Sequence, residues 1–444
     1  MAKQIKNKKP VTQVSKSEIR IRRYLITFPV IAFIIKLITM ANIQGGGWLG
    51  ADGENYFKGV DGLYADGLFS KADILNYWPA GYPILLWLLV LISVSKFVYL
   101  ISFVQSIFFA YATYFLTRNI SKTGAAWLAF PASLFISFNP TLSLSTLAVG
   151  YEAPVAACFM MVFGTILASR LNSEKSQYRY ALFVGGWIAL AALMQPRYLL
   201  AGIVVIVIWG TTFIPRNVGV KLIAIAALAM LLSPLSLIAR NFVAIDKTTI
   251  STNLGVTMSI GAGDGTKGGY SRTGPEVPCS PTPPGTTVTD NQLVKCVVNW
   301  YLTHPVNTAK LAFYKSEFFW SPWSGPLAEG TMARNPWLKI SPIKSLANNE
   351  SSAGVVSGGF GKLISWTWIL SQISLLFYGF LSLRKIDPIS KLLADGSIAA
   401  VLISWLISIG TIGDHRFRVP TMGLSLLLQV AGIWIIKQKV SKAL

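Results

Sequence analysis

YLITFPVIAFIIKLITMANI, Tyr24–Ile43, is the stretch that decides the fold class. Lys36 is its one charged residue, and a helix needs roughly 20 apolar residues to cross the hydrocarbon core of a bilayer. Runs of the same kind recur at Phe97–Thr117 and Lys221–Ala239. Strands of a closed barrel would read instead as short alternating segments. Hydrophobic residues make up 53% of the 444, and charged residues only 13%. The expected fold is an all-α polytopic membrane protein, most of it a single helical bundle. The first run is too long for a signal-peptide core and lacks a small-residue cleavage site, so it is expected to remain as an uncleaved span.

A net charge of +21 raises the question of nucleic acid. The distribution argues against it, because the surplus lies in short segments between apolar runs, as the positive-inside rule requires. Residues 1–23 carry Lys3, Lys6, Lys8, Lys9, Lys16, Arg20, Arg22 and Arg23 against Glu18. This arm is expected to be a cytosolic tail near anionic lipid. Membrane lipids are expected partners and nucleic acid is not.

Charge parity sets the topology. Spans are expected at 24–43, 97–117, 124–144, 153–170, 180–196, 198–214, 221–239, 361–383, 396–412 and 419–437. Ten crossings put Arg118/Lys122, Arg170/Lys175/Arg179, Arg216/Lys221, Arg384/Lys385/Lys391 and the Lys437–Lys442 tail on one side, the inside. Counting Gly81–Ser95 as an eleventh would reverse every basic loop, so this short segment is expected to be re-entrant or interfacial, on the outer side. The chain then divides into a basic tail (1–23), an N-terminal transmembrane catalytic module (24–239) with a first external loop at 44–96, an external region (240–360), and C-terminal transmembrane helices with a cytosolic tail (361–444).

The first external loop is chemically conspicuous. Gly50–Pro83 holds Asp52, Glu54, Asp61, Asp66 and Asp73, although the whole chain has only 18 acidic residues. The external region opens on a Gly/Pro/Thr-rich stretch, Gly261–Thr287, where a compact helix is not expected. An amphipathic pattern follows over Gln292–Phe319, broken at His304-Pro305, which suits a helix on the membrane surface. The aromatic group Phe318, Phe319, Trp320 and Trp323 is expected to form a membrane-interface belt. Cys279 and Cys296 are placed to form a disulfide in an oxidising exterior. No zinc-type spacing occurs, and with only two histidines, His304 and His415, a histidine-based metal site or triad has little support.

Four segments carry a resemblance. They are Asp52 with Tyr56, Leu63, Gly67 and the closing Pro79–Pro83; Glu152 within Gly150–Pro154; the run Ser233–Asn253, with its Arg240-Asn241; and GDHRFRVP at Gly413–Pro420. In this order they resemble the GT-C glycosyltransferases of the protein mannosyltransferase and aminoarabinose transferase type. Trp78 stands where some relatives have lysine, and Gln195-Pro196-Arg197 replaces an Arg-Pro pair, which makes Arg197 a substitute. The resemblance implies a GT-C bundle, a polyprenyl-phosphate-sugar donor, a glycan, lipid or protein acceptor, and inversion at the anomeric carbon, in a multi-pass protein of a bacterial inner or plasma membrane.

The chemistry of such a transfer fits these residue types. A carboxylate must take the proton of the attacking acceptor, and cations must hold the leaving phosphate, for which Arg is the better fork. Asp52 is the expected base. Glu152 is expected to assist it, orient the acceptor, or ligate a divalent cation if one is used. Arg240, Arg416 and Arg418 lie at outer ends of spans, where a phosphate would sit. Tyr56 is a candidate substrate contact, and Lys36 either reaches a lipid phosphate or snorkels outward. Each has an ordinary alternative: a solvated acid at Asp52, a helix cap at Glu152, interface anchors at Arg416 and Arg418, a salt bridge holding the external region at Arg240, packing at Tyr56. An O-antigen ligase or polysaccharide polymerase, or a lipid-linked glycan flippase, would also be polytopic; the first would lean on a large arginine- and histidine-bearing loop, the second on ionisable residues at midplane.

Overall fold

The computed structural model describes residues 16–41, 52–172, 177–262, 267–269, 289–321 and 359–443, and these contain helices and no strand. In chain order the helices are α1 (Lys16–Ala41), α2 (Gly53–Asp66), α3 (Asp73–Tyr77), α4 (Gly81–Val90), α5 (Phe97–Ile120), α6 (Ala129–Phe138), α7 (Pro140–Leu144), α8 (Glu152–Leu171), α9 (Gln177–Met194), α10 (Leu199–Gly210), α11 (Arg216–Ile245), α12 (Leu254–Gly261), α13 (Asp290–Thr303), α14 (Pro305–Trp320), α15 (Gly359–Leu383), α16 (Pro388–Gly410) and α17 (Val419–Ala443). The chain is an all-α, multi-pass membrane protein.

Helix forms at every expected crossing, but the crossings are unequal. Among the described residues seven helices are long and apolar enough to span a bilayer: α1, α5, α8, α11, α15, α16 and α17. The 124–144 segment is broken at Asn139-Pro140, where the Asn139 side chain accepts a hydrogen bond from Leu142 N at 2.8 Å. Proline has no N–H to continue the ladder, so α6 stops and a separate turn, α7, begins. The segment around 198–214 is similarly curtailed, by Pro196 at its start.

α4, only 10 residues long, reaches about 15 Å at 1.5 Å per residue, half the roughly 30 Å of a hydrocarbon core. It packs against α2, α5 and α9. Gly81 lies so close to α9 that a Cβ there would fall 1.9 Å from the Leu193 carbonyl oxygen.

α8 is the hub. Its residues from Glu152 to Ser169 are all buried, between α5, α9 and α17. A helix that is hydrophobic all round belongs inside a bundle. α1 behaves oppositely, presenting Ile26, Ile34 and Ile38 outward as a lipid-facing helix should. Small residues allow the tightest crossing, that of α15 on α17: a Cβ at Gly379 would lie 1.8 Å from Leu428 O.

The aromatic group at the end of α14 corrects the sequence expectation. Phe318, Phe319 and Trp320 are buried, and Trp405 of α16 stacks on Phe319 at 6.3 Å and meets Trp320 edge-on at 5.4 Å. They form a packed knot between α14 and α16, so an interfacial belt is not their role; Trp323 lies outside the described residues. Lys36 does not snorkel outward either: it is buried, with its ammonium 4.8 Å from the centre of the Phe109 ring on α5. The break at His304-Pro305 is where α13 gives way to α14. Cys296 is disulfide-bonded and Cys158 is free and buried, while Cys279, its expected partner, lies outside the described residues.

Candidate active site

Three chain turns meet at one end of the bundle: Asp52 before α2, Glu152 at the first turn of α8, and the 411–418 connection between α16 and α17. Arg416 joins them. Its Nε donates to Glu152 Oε1 at 2.9 Å and its Nη2 to Asp52 Oδ2 at 2.5 Å, across sequence separations of 264 and 364 residues. Arg416 and Glu152 side chains are 7% and 4% exposed, whereas Asp52 keeps 17%. Asp52 is therefore the carboxylate that a ligand can still reach.

Local structure explains why these side chains are free to meet. Asp52 occupies the N-cap position of α2 without capping it, so its carboxylate is available to Arg416. Asp414 does cap: its Oδ1 accepts from Arg416 N at 2.9 Å and fixes the short turn His415–Phe417. Phe417 O accepts from Ser404 Oγ at 2.7 Å and from Tyr198 Oη at 3.3 Å. The turn is thus clamped from α16 and from the start of α10.

The electrostatics are those of a nearly dry cluster. Burial would lower the Arg416 guanidinium, but Asp52, Tyr151, Glu152 and Asp414 together raise it well above its ordinary range. Burial pushes the Asp414 carboxyl up to about 6. Tyr56, packed on Trp78 at 5.1 Å and Tyr82 at 4.8 Å, is pushed well above its usual range by burial and then by Asp52 and Glu152. It remains a phenol, a donor and not an anion, at any ordinary pH.

The other expected arginines part company. Arg418 is buried, and among the described residues its guanidinium makes one hydrogen bond, a long one of 3.4 Å to Trp320 O. Its Nε has no partner, its guanidinium lies 5.6 Å from the Trp320 ring centre, and no carboxylate pairs with it among the described residues. Burial pulls it down to about 10, still protonated at neutral pH. Arg197 is similar: it lies 4.1 Å from the Phe417 ring centre and 6.0 Å from that of Tyr151, and its Nη1 is buried without a partner.

Arg240 is fully engaged elsewhere. It donates to Leu68 O, Ser70 O, Leu75 O, Asn76 Oδ1 and Asn241 Oδ1. Gly67, with φ 77°, ends α2 and turns the chain so that these carbonyls face it. Among the described residues Arg240 holds oxygens of the first loop and forms no salt bridge. The remaining loop acids Glu54, Asp61, Asp66 and Asp73 are exposed.

Sequence reasoning assigned no role to Tyr151 or Asp414. Tyr151 offers its ring to both Arg197 and Arg416. Asp414 stands inside the quoted GDHRFRVP motif, and its position two residues before Arg416 was the signal for a local cap. As to a divalent cation, no cluster of three or more His, Cys, Asp or Glu placed to hold one occurs among the described residues. The two carboxylates nevertheless offer the hard oxygen donors such an ion takes.

No protein-family model matches this chain, and no curated protein does. Solved structures do. The Archaeoglobus fulgidus oligosaccharyltransferase tethered with an acceptor peptide containing the NVT sequon aligns with TM-score 0.50 and 13% identity, over 94% of this chain and 50% of that one. The archaeal oligosaccharyltransferase AglB from Archaeoglobus fulgidus, in complex with an inhibitory peptide and a dolichol-phosphate, aligns with TM-score 0.49 and 13% identity, over 95% and 51%. This chain spans about half the length of these proteins. At such identity the likeness bears on the fold alone: the chain shares the fold of the part of that oligosaccharyltransferase with which it aligns.

Proposed function

We propose that the protein is a membrane glycosyltransferase that moves a sugar from a polyprenyl-phosphate donor to an acceptor at the outer face of the membrane. The observation that carries this reading is the Arg416 fork, which holds two carboxylates from distant parts of the chain at the mouth of a lipid-embedded bundle. The GT-C-type fold, shared with an oligosaccharyltransferase, supports it.

In this mechanism Asp52 is the base, because it is the more accessible carboxylate of the pair. It accepts the proton of the acceptor hydroxyl or amine as that atom attacks the anomeric carbon. The bond between the anomeric carbon and the phosphate oxygen breaks on the opposite face, so configuration inverts and polyprenyl phosphate leaves. Arg416, with Glu152 behind it, fixes the orientation of Asp52. Arg418 and Arg197 receive the phosphate: each has a buried N–H group with no acceptor among the described residues, and an unsatisfied buried donor is costly until a ligand completes it. Tyr56 stands beside Asp52 as a neutral donor to a sugar hydroxyl. If a divalent cation takes part, Asp52 and Glu152 would hold it and it would polarise the leaving phosphate. Arg240 supports the first loop and does not meet the donor.

The test is genetic and chemical. A deletion strain should accumulate a polyprenyl-phosphate sugar and lack that sugar in a cell-envelope glycan, and wild-type protein but not Asp52→Asn should restore both. Restoration by folded Asp52→Asn would refute the assignment of the base.

A further inference from the structure

Lys315 of α14 is a buried lysine outside the carboxylate–arginine cluster. Its ammonium donates to three neutral oxygens, Tyr301 Oη, Ile409 O and Thr411 O, each at 2.9 Å. No carboxylate pairs with it among the described residues, and burial pulls it down to about 7. Ile409 lies in the last turn of α16 and Thr411 is its C-cap, so two of the acceptors are at the helix end where the dipole favours a cation. Its stem is gripped by glycines: a Cβ at Gly268 would lie 2.7 Å from Lys315 Cε, and one at Gly413 would lie 2.9 Å from Lys315 Cα. Gly413 N in turn donates to Gly268 O at 2.8 Å.

The lysine therefore sits where three separate pieces converge: the outer helices α13 and α14, the 267–269 turn, and the 411–418 connection. Arg416 lies three residues beyond Gly413, and Arg418 five. Moreover, Trp320, which follows Lys315 on the same helix, supplies the carbonyl and the ring that face Arg418. Lys315 and Trp320 are thus two points of one contact between α14 and the arginine-bearing connection.

We propose that Lys315 is a positioning residue, which seats the α13–α14 hairpin on the 411–418 connection so that Arg418 faces the lipid phosphate and Arg416 holds Asp52. It acts through those arginines and touches no substrate. The phosphate half of this statement rests on the function proposed above; the seating half does not.

Two variants and two readouts separate these halves. Lys315→Met removes the three hydrogen bonds with little change in side-chain length, and Gly413→Ala keeps the lysine but wedges it away from the connection. Amide exchange in the full chain reports the seating. Both variants should raise exchange across 411–418 roughly tenfold or more, with α8 and α17 unaffected. Unchanged protection of 411–418 would overturn the proposal, as would loss of protection throughout the bundle, which marks a merely structural lysine. Binding of undecaprenyl phosphate reports the consequence. Lys315→Met should weaken it roughly tenfold, and its effect should not add to that of Arg418→Gln, because both act on one contact. Wild-type affinity in Lys315→Met, or additive losses, would also overturn the proposal. Failure of the unmodified protein to bind this lipid, with the exchange result as expected, would instead refute the donor assignment and leave the seating standing.

Discussion

Arg240 and Arg418 are both buried arginines at the same end of the bundle, and they are bonded in opposite ways. Arg240 has five protein acceptors, drawn from the first loop and from its own helix. The Arg418 guanidinium has one long hydrogen bond and an unpartnered Nε among the described residues. Burying a guanidinium is costly unless its donors are met. Arg240 meets that cost within the fold and so belongs to the structure. Arg418 leaves it unmet among the described residues, which is what the proposed role in holding an anion requires. Composition and position along the chain do not separate the two; the acceptors around them do.

The sharpest way to break the functional half of this comparison is Asp52→Asn, which should cost about 10²–10⁴ in transfer rate while purified protein keeps its melting temperature. Near-normal turnover in single-turnover assays would remove Asp52 from the chemistry. The next effect should be seen at Arg240. Arg240→Gln strands several buried carbonyls, with an expected loss on the order of 3 kcal/mol, and limited proteolysis should then cut between Gly67 and Asn76. A first loop as resistant as the wild type would contradict the clamp.

Arg418→Gln should do the reverse. Its expected result is a roughly ten- to hundredfold weaker donor interaction, the loss of one charge-assisted contact, with stability nearly unchanged. A donor KM equal to wild type, read alongside kcat, would show that Arg418 does not face the phosphate.

A smaller, pH-dependent effect is expected at Asp414. Its folded-state value of about 6 lies above the ordinary carboxylate value. The native state therefore holds this proton where the unfolded chain has lost it, and the associated stability is complete below about pH 4 and declines through about pH 6. Asp414→Asn preserves an oxygen acceptor for Arg416 N and should flatten that part of the melting-temperature profile between pH 4 and 7. An unaltered slope would locate the titration elsewhere. The smallest effects belong to the exposed loop acids: Glu54→Gln and Asp61→Asn should stay within about 0.5 kcal/mol and retain activity.

Much of this was legible in the chain itself. Helix period and bilayer length are local properties, so Tyr24–Ile43 and its counterparts announced the bundle, and the short α4 could be set aside on length. Asp52, Glu152 and Arg416 were named as site candidates because the segments that carry them resemble the GT-C glycosyltransferases, and because a carboxylate base and phosphate-binding arginines suit such a transfer. What could not be read was contact. Nothing local distinguishes an aromatic belt from the Phe319–Trp405 knot, or an outward-snorkelling Lys36 from one buried against Phe109, because each depends on which helix lies alongside.

The sequence alone thus determined an all-helical membrane protein with a basic set of loops and an acidic first loop, since bilayer thickness and charge act on every segment independently. Only the tertiary structure decided how the site is wired. Arg416 meets Asp52 across 364 residues, Arg240 turns to the loop, Arg418 stays open, and Lys315 ties the α13–α14 hairpin to the end of α16. The physical reason is that a guanidinium or an ammonium takes its role from the acceptors packed around it, and those come from helices that the chain brings together only on folding.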